Sequence, residues 1–71
     1  LLNEEEMVQL FKRMDIYSMA ALLKALCQEY CVLTPEDLRN DADRSWINSF
    51  LGFIEENCSE VYTISDKIII L

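Results

Sequence analysis

Apolar side chains recur along most of this chain with the period of a helix, and over its last eleven positions they gather into β-rich runs instead. Met7, Leu10, Phe11 and Met14 stand at i, i+3, i+4 and i+7, the stripe of an amphipathic helix that must bury one face. Asn3 is placed to cap this helix and Glu6 to reach back in a capping box, with Leu2 and Met7 as a hydrophobic staple. Glu4, Glu5 and Glu6 at its start and Lys12 and Arg13 at its end suit the helix dipole. After a break at 15–18, where Asp15 or Ser18 can cap, Met19, Leu22, Leu23, Leu26, Cys27 and Tyr30 carry the strongest helical period in the chain. A domain this small cannot leave its longest apolar face unburied, so this stripe is read as core. Ala20, Ala21 and Ala25 add helix propensity and room for another helix to approach.

The next segments are shorter. Cys31, Val32 and Leu33 form an apolar, partly β-branched run that predicts a three-residue strand. Thr34, Pro35, Glu36 and Asp37 then give a specific helix start: a capping hydroxyl, proline where its missing N–H costs nothing, and acids in the first turn. This third helix brings Leu38 inward and ends near Asn40. A fourth, capped by Asp41 or Asp43, carries Trp46, Ile47, Phe50, Leu51 and Ile54 on one broad face, with Phe53 off the stripe. Gly52 lies inside it and reads as a point of close packing against a neighbour. The runs 61–64 and 67–71 flank Ser65 and Asp66 and predict a terminal β-hairpin.

This order of elements over 18–71 resembles a winged-helix domain. In that resemblance 34–40 and 43–56 form the helix-turn-helix, 31–33 the first strand and 61–71 the wing, with 3–14 as an extra leading helix. The expected class is mainly α with a small β-hairpin (α+β), and the rival is a small four-helix bundle with an irregular or helical tail. The resemblance rests on element order and caps. It matches no sequence motif of the family, so it implies a fold and no functional residue.

Composition then narrows the function. Seventy-one residues, 52% of them hydrophobic, suffice for a single domain with one core. The chain opens without methionine and closes on an apolar run, so a domain cut from a longer protein is expected. Thirteen acidic against six basic residues give a net charge of −7, which repels phosphate backbones. Among would-be recognition positions only Arg44, Asn48 and Arg39 suit base readout, and the wing supplies a single Lys67. Nucleic-acid binding would therefore need basic contacts outside this chain, and it is held as the alternative.

Catalysis is disfavoured by the side chains available. The chain has no histidine to serve as base for a serine or cysteine, and its one glycine cannot make a phosphate loop. Cys27, Cys31 and Cys58 form no Cys-x-x-Cys pair and lack histidine partners for zinc, so no metal and no cofactor is expected. Free thiols and the lack of a signal-peptide pattern or of roughly 20 consecutive apolar residues point to an intracellular protein, in cytoplasm or nucleus, with no membrane partner. What remains is an acidic, non-catalytic protein-protein interaction module or scaffold element. Its expected contact area is the surface of 43–57 with the hairpin. Phe53 and Tyr62 either serve there as aromatic anchors or pack beneath the wing, and Asp41, Asp43, Glu55 and Glu56 are placed to steer a basic partner, with Arg44 in the same area. Homo-oligomerisation through the same area or through the leading helix is a further expectation.

Overall fold

The computed structural model describes residues 3–68, and within them the chain forms five α-helices and no strand. They are α1 (Glu4–Arg13), α2 (Ile16–Glu29), α3 (Pro35–Asp41), α4 (Ser45–Asn57) and α5 (Glu60–Lys67). α1 packs on α4 and α2 on α5, while short α3 touches both α2 and α4 and so joins the two pairs. The core sits where they meet: Leu23 of α2, Leu38 of α3, Ile47, Phe50, Leu51 and Ile54 of α4 and Val61 of α5 are fully buried.

The first two helices begin where side-chain chemistry places them. Asn3 Oδ1 accepts from the Glu6 backbone N–H at 2.9 Å, and Glu6 Oε1 accepts from the Asn3 N–H at 3.2 Å, completing the capping box. Leu2, the other half of the expected staple, lies outside the described residues. Asp15, not Ser18, caps α2: its carboxylate accepts from the Ser18 backbone N–H at 2.8 Å and from the Ser18 hydroxyl at 3.0 Å. Those bonds, the backbone one foremost, hold the Asp15 carboxyl below its ordinary 3.8. On α1, Phe11 is buried, Met7 and Met14 pack against the core and Leu10 stays exposed. Of the three alanines on α2, only Ala20 is buried.

The expected strand at 31–33 is a helix C-cap. Tyr30 ends α2, Cys31 adopts a left-handed backbone with φ of 56°, and Val32 folds back toward the core. The Val32 N–H donates to the Cys27 carbonyl at 2.9 Å and the Cys31 N–H to the Gln28 carbonyl at 3.1 Å. This is the paired bonding of a Schellman motif, which satisfies carbonyls the helix would otherwise leave open. An apolar run that looks extended in sequence is thus used as a cap plus its hydrophobic contact.

α3 starts as its sequence dictates, Thr34 Oγ1 accepting from the Asp37 N–H at 3.1 Å with Pro35 at the first helical position. It runs one residue past Asn40 to Asp41. α4 departs from expectation at its start. Neither Asp41 nor Asp43 caps it; Arg44 holds the cap position on extended backbone and makes no side-chain bond there. Asp41 belongs to α3, and Asp43 instead accepts from the Tyr30 hydroxyl at 2.9 Å, tying the end of α2 to the loop before α4. Gly52 is not a point of internal close packing: a Cβ built there meets nothing within 4 Å.

The winged-helix expectation is overturned in the last segment. Residues 60–67 are helical, with no hairpin and therefore no wing among the described residues, and 69–71, part of the expected second strand 67–71, lie outside them. Val61, Ile64, Ser65 and Ile68 stand at i, i+3, i+4 and i+7, and all four are buried or partly buried. Burying that stripe on α2 outweighs the β preference of valine, isoleucine and threonine, which is weaker than tertiary context. Ser65 is buried and spends its hydroxyl on the Tyr62 carbonyl at 3.0 Å, the local bonding open to serine inside a helix. Over its described residues the chain is therefore an all-helical globule, not α+β. The rival bundle had the class right and allowed for a helical last segment, but that segment is a fifth helix, α5, whose Val61 is part of the core.

Two outcomes follow for stability. Replacing Cys31 by glycine relieves the left-handed strain and raises stability by about 1 kcal/mol, read as an increased midpoint in chemical denaturation. Asp15→Ala destabilises at neutral pH. Because the folded-state pKa of Asp15 lies below 3.8, its stabilisation is full above that value and is lost as pH falls through the depressed one. Denaturation curves of parent and variant therefore converge at acid pH.

Candidate functional site

The outward face of α4 is the surface that the sequence nominates, and the structure sorts its residues into three situations. At the start of the helix, Asp43 and Arg44 are exposed, with Asp43 engaged by Tyr30. The carboxylate stabilises the neutral phenol as a donor, so this bond, ahead of burial, raises the Tyr30 pKa above 10.0. At the far end of the helix, Glu55 and Glu56 are exposed. A helix of thirteen residues separates its ends by about 18 Å, so the two acidic groups form no single patch.

Glu55 does not stand free. Its Oε2 meets the Arg39 Nη2 at 3.0 Å, and both side chains are about half exposed. A pair in that setting contributes at most about 1 kcal/mol and serves mainly to hold α3 against α4. Beside it, Pro35, Glu36, Asn40 and Tyr62 complete an open concavity of about 430 Å³. Glu55 and Glu56 also line a second depression together with Arg39, Asn48 and Gly52.

Phe53 and Tyr62, for which anchoring and packing were both open, are partly buried and packed against the core. Phe53 packs on Phe11 with ring centroids 5.8 Å apart, beside the Phe11–Phe50 contact at 5.2 Å. Tyr62 lies against the core, its hydroxyl donating to the Leu51 carbonyl at a long 3.5 Å, and burial raises its pKa above 10.0. Their ring area is largely spent inside. The large apolar side chains that do reach solvent are different ones: Leu33 is 94% exposed, Tyr17 69% and Leu10 45%. Leu33 follows the Schellman cap, which turns Val32 inward and leaves the next residue outward. Tyr17 lies in the first turn of α2, ahead of the stripe that begins at Met19, and its absence from that stripe was the available signal.

Two further shallow depressions flank Gly52, of about 580 and 540 Å³, and Asn48 and Glu56 line both. One extends across α3 to Arg39, the other into the crease between α1 and α4, where Glu4, Val8 and Lys12 face Ser49 and Phe53. Neither encloses a convergent set of acid, base and nucleophile of the kind a reaction requires.

The thiols are separated by their surroundings. Cys27 is buried and Cys58 partly buried, and desolvation raises both above 9.0. The Cys58 thiol donates to the Met19 thioether at 3.6 Å. Cys31 is exposed. No group of three or more His, Cys, Asp or Glu among the described residues is placed to hold a metal ion, and no helix there is long and apolar enough to cross a membrane. No family model, curated protein or solved structure matches this chain.

Native-state alkylation with a maleimide at neutral pH will modify Cys31 rapidly. Cys27 and Cys58 will react only after addition of denaturant, as read by intact mass against time.

Proposed function

We propose that this chain is a non-catalytic protein-contact module and that the outward face of α4 is its principal contact surface. The observation that carries the reading is the state of that face. Asn48, Glu55 and Glu56 are exposed around a partly exposed Gly52, bordered by open depressions, while the opposite face of the same helix is fully buried. A surface that is recessed, polar and rimmed by carboxylates suits a partner carrying basic side chains, and its acidic groups accelerate encounter with such a partner. Asp43 and Arg44, just before the start of α4, lie outside this surface. Phe53 contributes through its exposed edge, and Tyr62 borders the neighbouring depression on the α3 side.

Support also comes from the chemistry of the remaining groups. Two of the three thiols are desolvated and protonated at neutral pH, and the depressions are shallow. The net charge of −7 opposes the counterion release from which nucleic-acid binding draws its affinity. The alternative, a nucleic-acid-binding domain completed by basic segments elsewhere, has Arg44 and Asn48 in its favour and little else.

Selection from a random displayed-peptide library will test the proposal. The expected result is convergence on a common sequence whose binding is lost in Glu55→Lys with Glu56→Lys and retained in Asp43→Lys. Failure of the library to converge, or binding to labelled duplex or single-stranded DNA that persists at physiological ionic strength and is lost on Arg44→Glu, overturns it.

A further inference from the structure

Resting on the protein-contact reading, the identity of the partner segment can be narrowed. We infer that the crease between α1 and α4, floored by Gly52, receives a basic helix of another protein, with a small side chain of that helix seated against Gly52.

One residue is not accounted for by the fold itself. Gly52 is the sole glycine of the chain and lies inside a thirteen-residue helix, a position where glycine weakens the helix relative to alanine. It does not have a positive φ, so no special backbone conformation requires it. A Cβ would meet nothing within 4 Å, so no internal neighbour requires it either. The remaining physical use of a missing side chain is close approach from outside, and Gly52 lines two open surface depressions.

The shape around it fits a helix. Glu4, Val8 and Lys12 on α1 and Asn48, Gly52 and Glu56 on α4 are both i, i+4, i+8 rows, and all six line the same depression. Each row spans about 12 Å along its helix. Rows of this spacing are the ridges between which a third helix packs, and an amphipathic helix laid in such a groove is a recurrent mode of peptide recognition.

Charge selects the occupant. Among the described residues the ion pair formed is Arg39 with Glu55, which leaves Glu4 and Glu56 facing the crease against the single cation Lys12. A second copy of this chain is a poor occupant. A contact between copies would bring together two chains of net charge −7. A lysine- or arginine-bearing helix from a different protein meets both the shape and the field.

The test uses a capped helical peptide of alanine and lysine, about 18 residues long so that it holds helical structure. A matched alanine and glutamate peptide is the control, and both are titrated into the isotope-labelled chain while backbone amide shifts are followed. The expected result is that shifts induced by the lysine peptide concentrate at 4–12 and 48–57 and weaken with added salt. Binding should fall about tenfold or more in Gly52→Gln, whose thermal unfolding should be no lower than the parent's because glutamine favours the helix. Charge reversal with Glu4→Lys and Glu56→Lys should exchange the preference to the glutamate peptide, a readout that does not depend on Gly52→Gln folding well.

Shifts spread over every acidic segment, unaltered binding in Gly52→Gln, failure of the charge-reversed chain to exchange preference, or self-association in sedimentation each overturns the inference. Convergent displayed peptides that are not basic, or that bind Gly52→Gln as well as the parent, defeat the helix inference while leaving the contact-module reading in place. If neither the lysine peptide nor any displayed sequence binds, both fall.

Discussion

Phe50 is fully buried, and its ring lies against that of Phe11 with centroids 5.2 Å apart. Keeping that ring out of water constrains much else. It fixes which face of α4 points inward, since Ile47, Leu51 and Ile54 share the side of the helix that Phe50 occupies. It also positions α1, whose single buried residue is Phe11 and whose exposed end residues contribute caps and charges instead of core. The outward face of α4, with Asn48, Gly52 and Glu56, is defined by the same orientation. Surface and core are two consequences of one rotation of one helix.

The helical stripes were legible because burial leaves a period in the sequence. Met19, Leu23, Leu26 and Cys27 are buried as their spacing requires, and Asn3, Thr34 and Pro35 mark their helices through local chemistry alone. The two β assignments failed for separate physical reasons. At 31–33 an apolar triplet serves a helix end, with a cysteine in the left-handed position that glycine or asparagine usually takes, so the usual mark of the motif was missing. At 61–68 residues with β preference carry a helical period, and packing on α2 prevailed over composition.

The candidate surface was legible in part. Glu55 and Glu56 are exposed where the helical period puts them, yet Glu55 is engaged by Arg39, sixteen positions away and invisible to any local pattern. Phe53 and Tyr62 fell between stripe and solvent, a place that a two-state division into inside and outside cannot represent. Gly52 drew notice as an anomaly, but its meaning changed with the structure. The space around its missing side chain faces outward, so its consequence lies with whatever touches α4 and not with the core.

The pairing of helices has a kinetic consequence. α1 seeks α4 and α2 seeks α5, so the two principal contacts interleave along the chain instead of nesting, and each joins segments tens of residues apart. Neither pair can dock as a neighbouring hairpin of helices would, and closing one loop does not close the other. Helix formation is local and fast, so docking of the two interleaved pairs is the slower event. Removing either terminal helix would leave a long helix with an open apolar face, so the five helices form one cooperative unit.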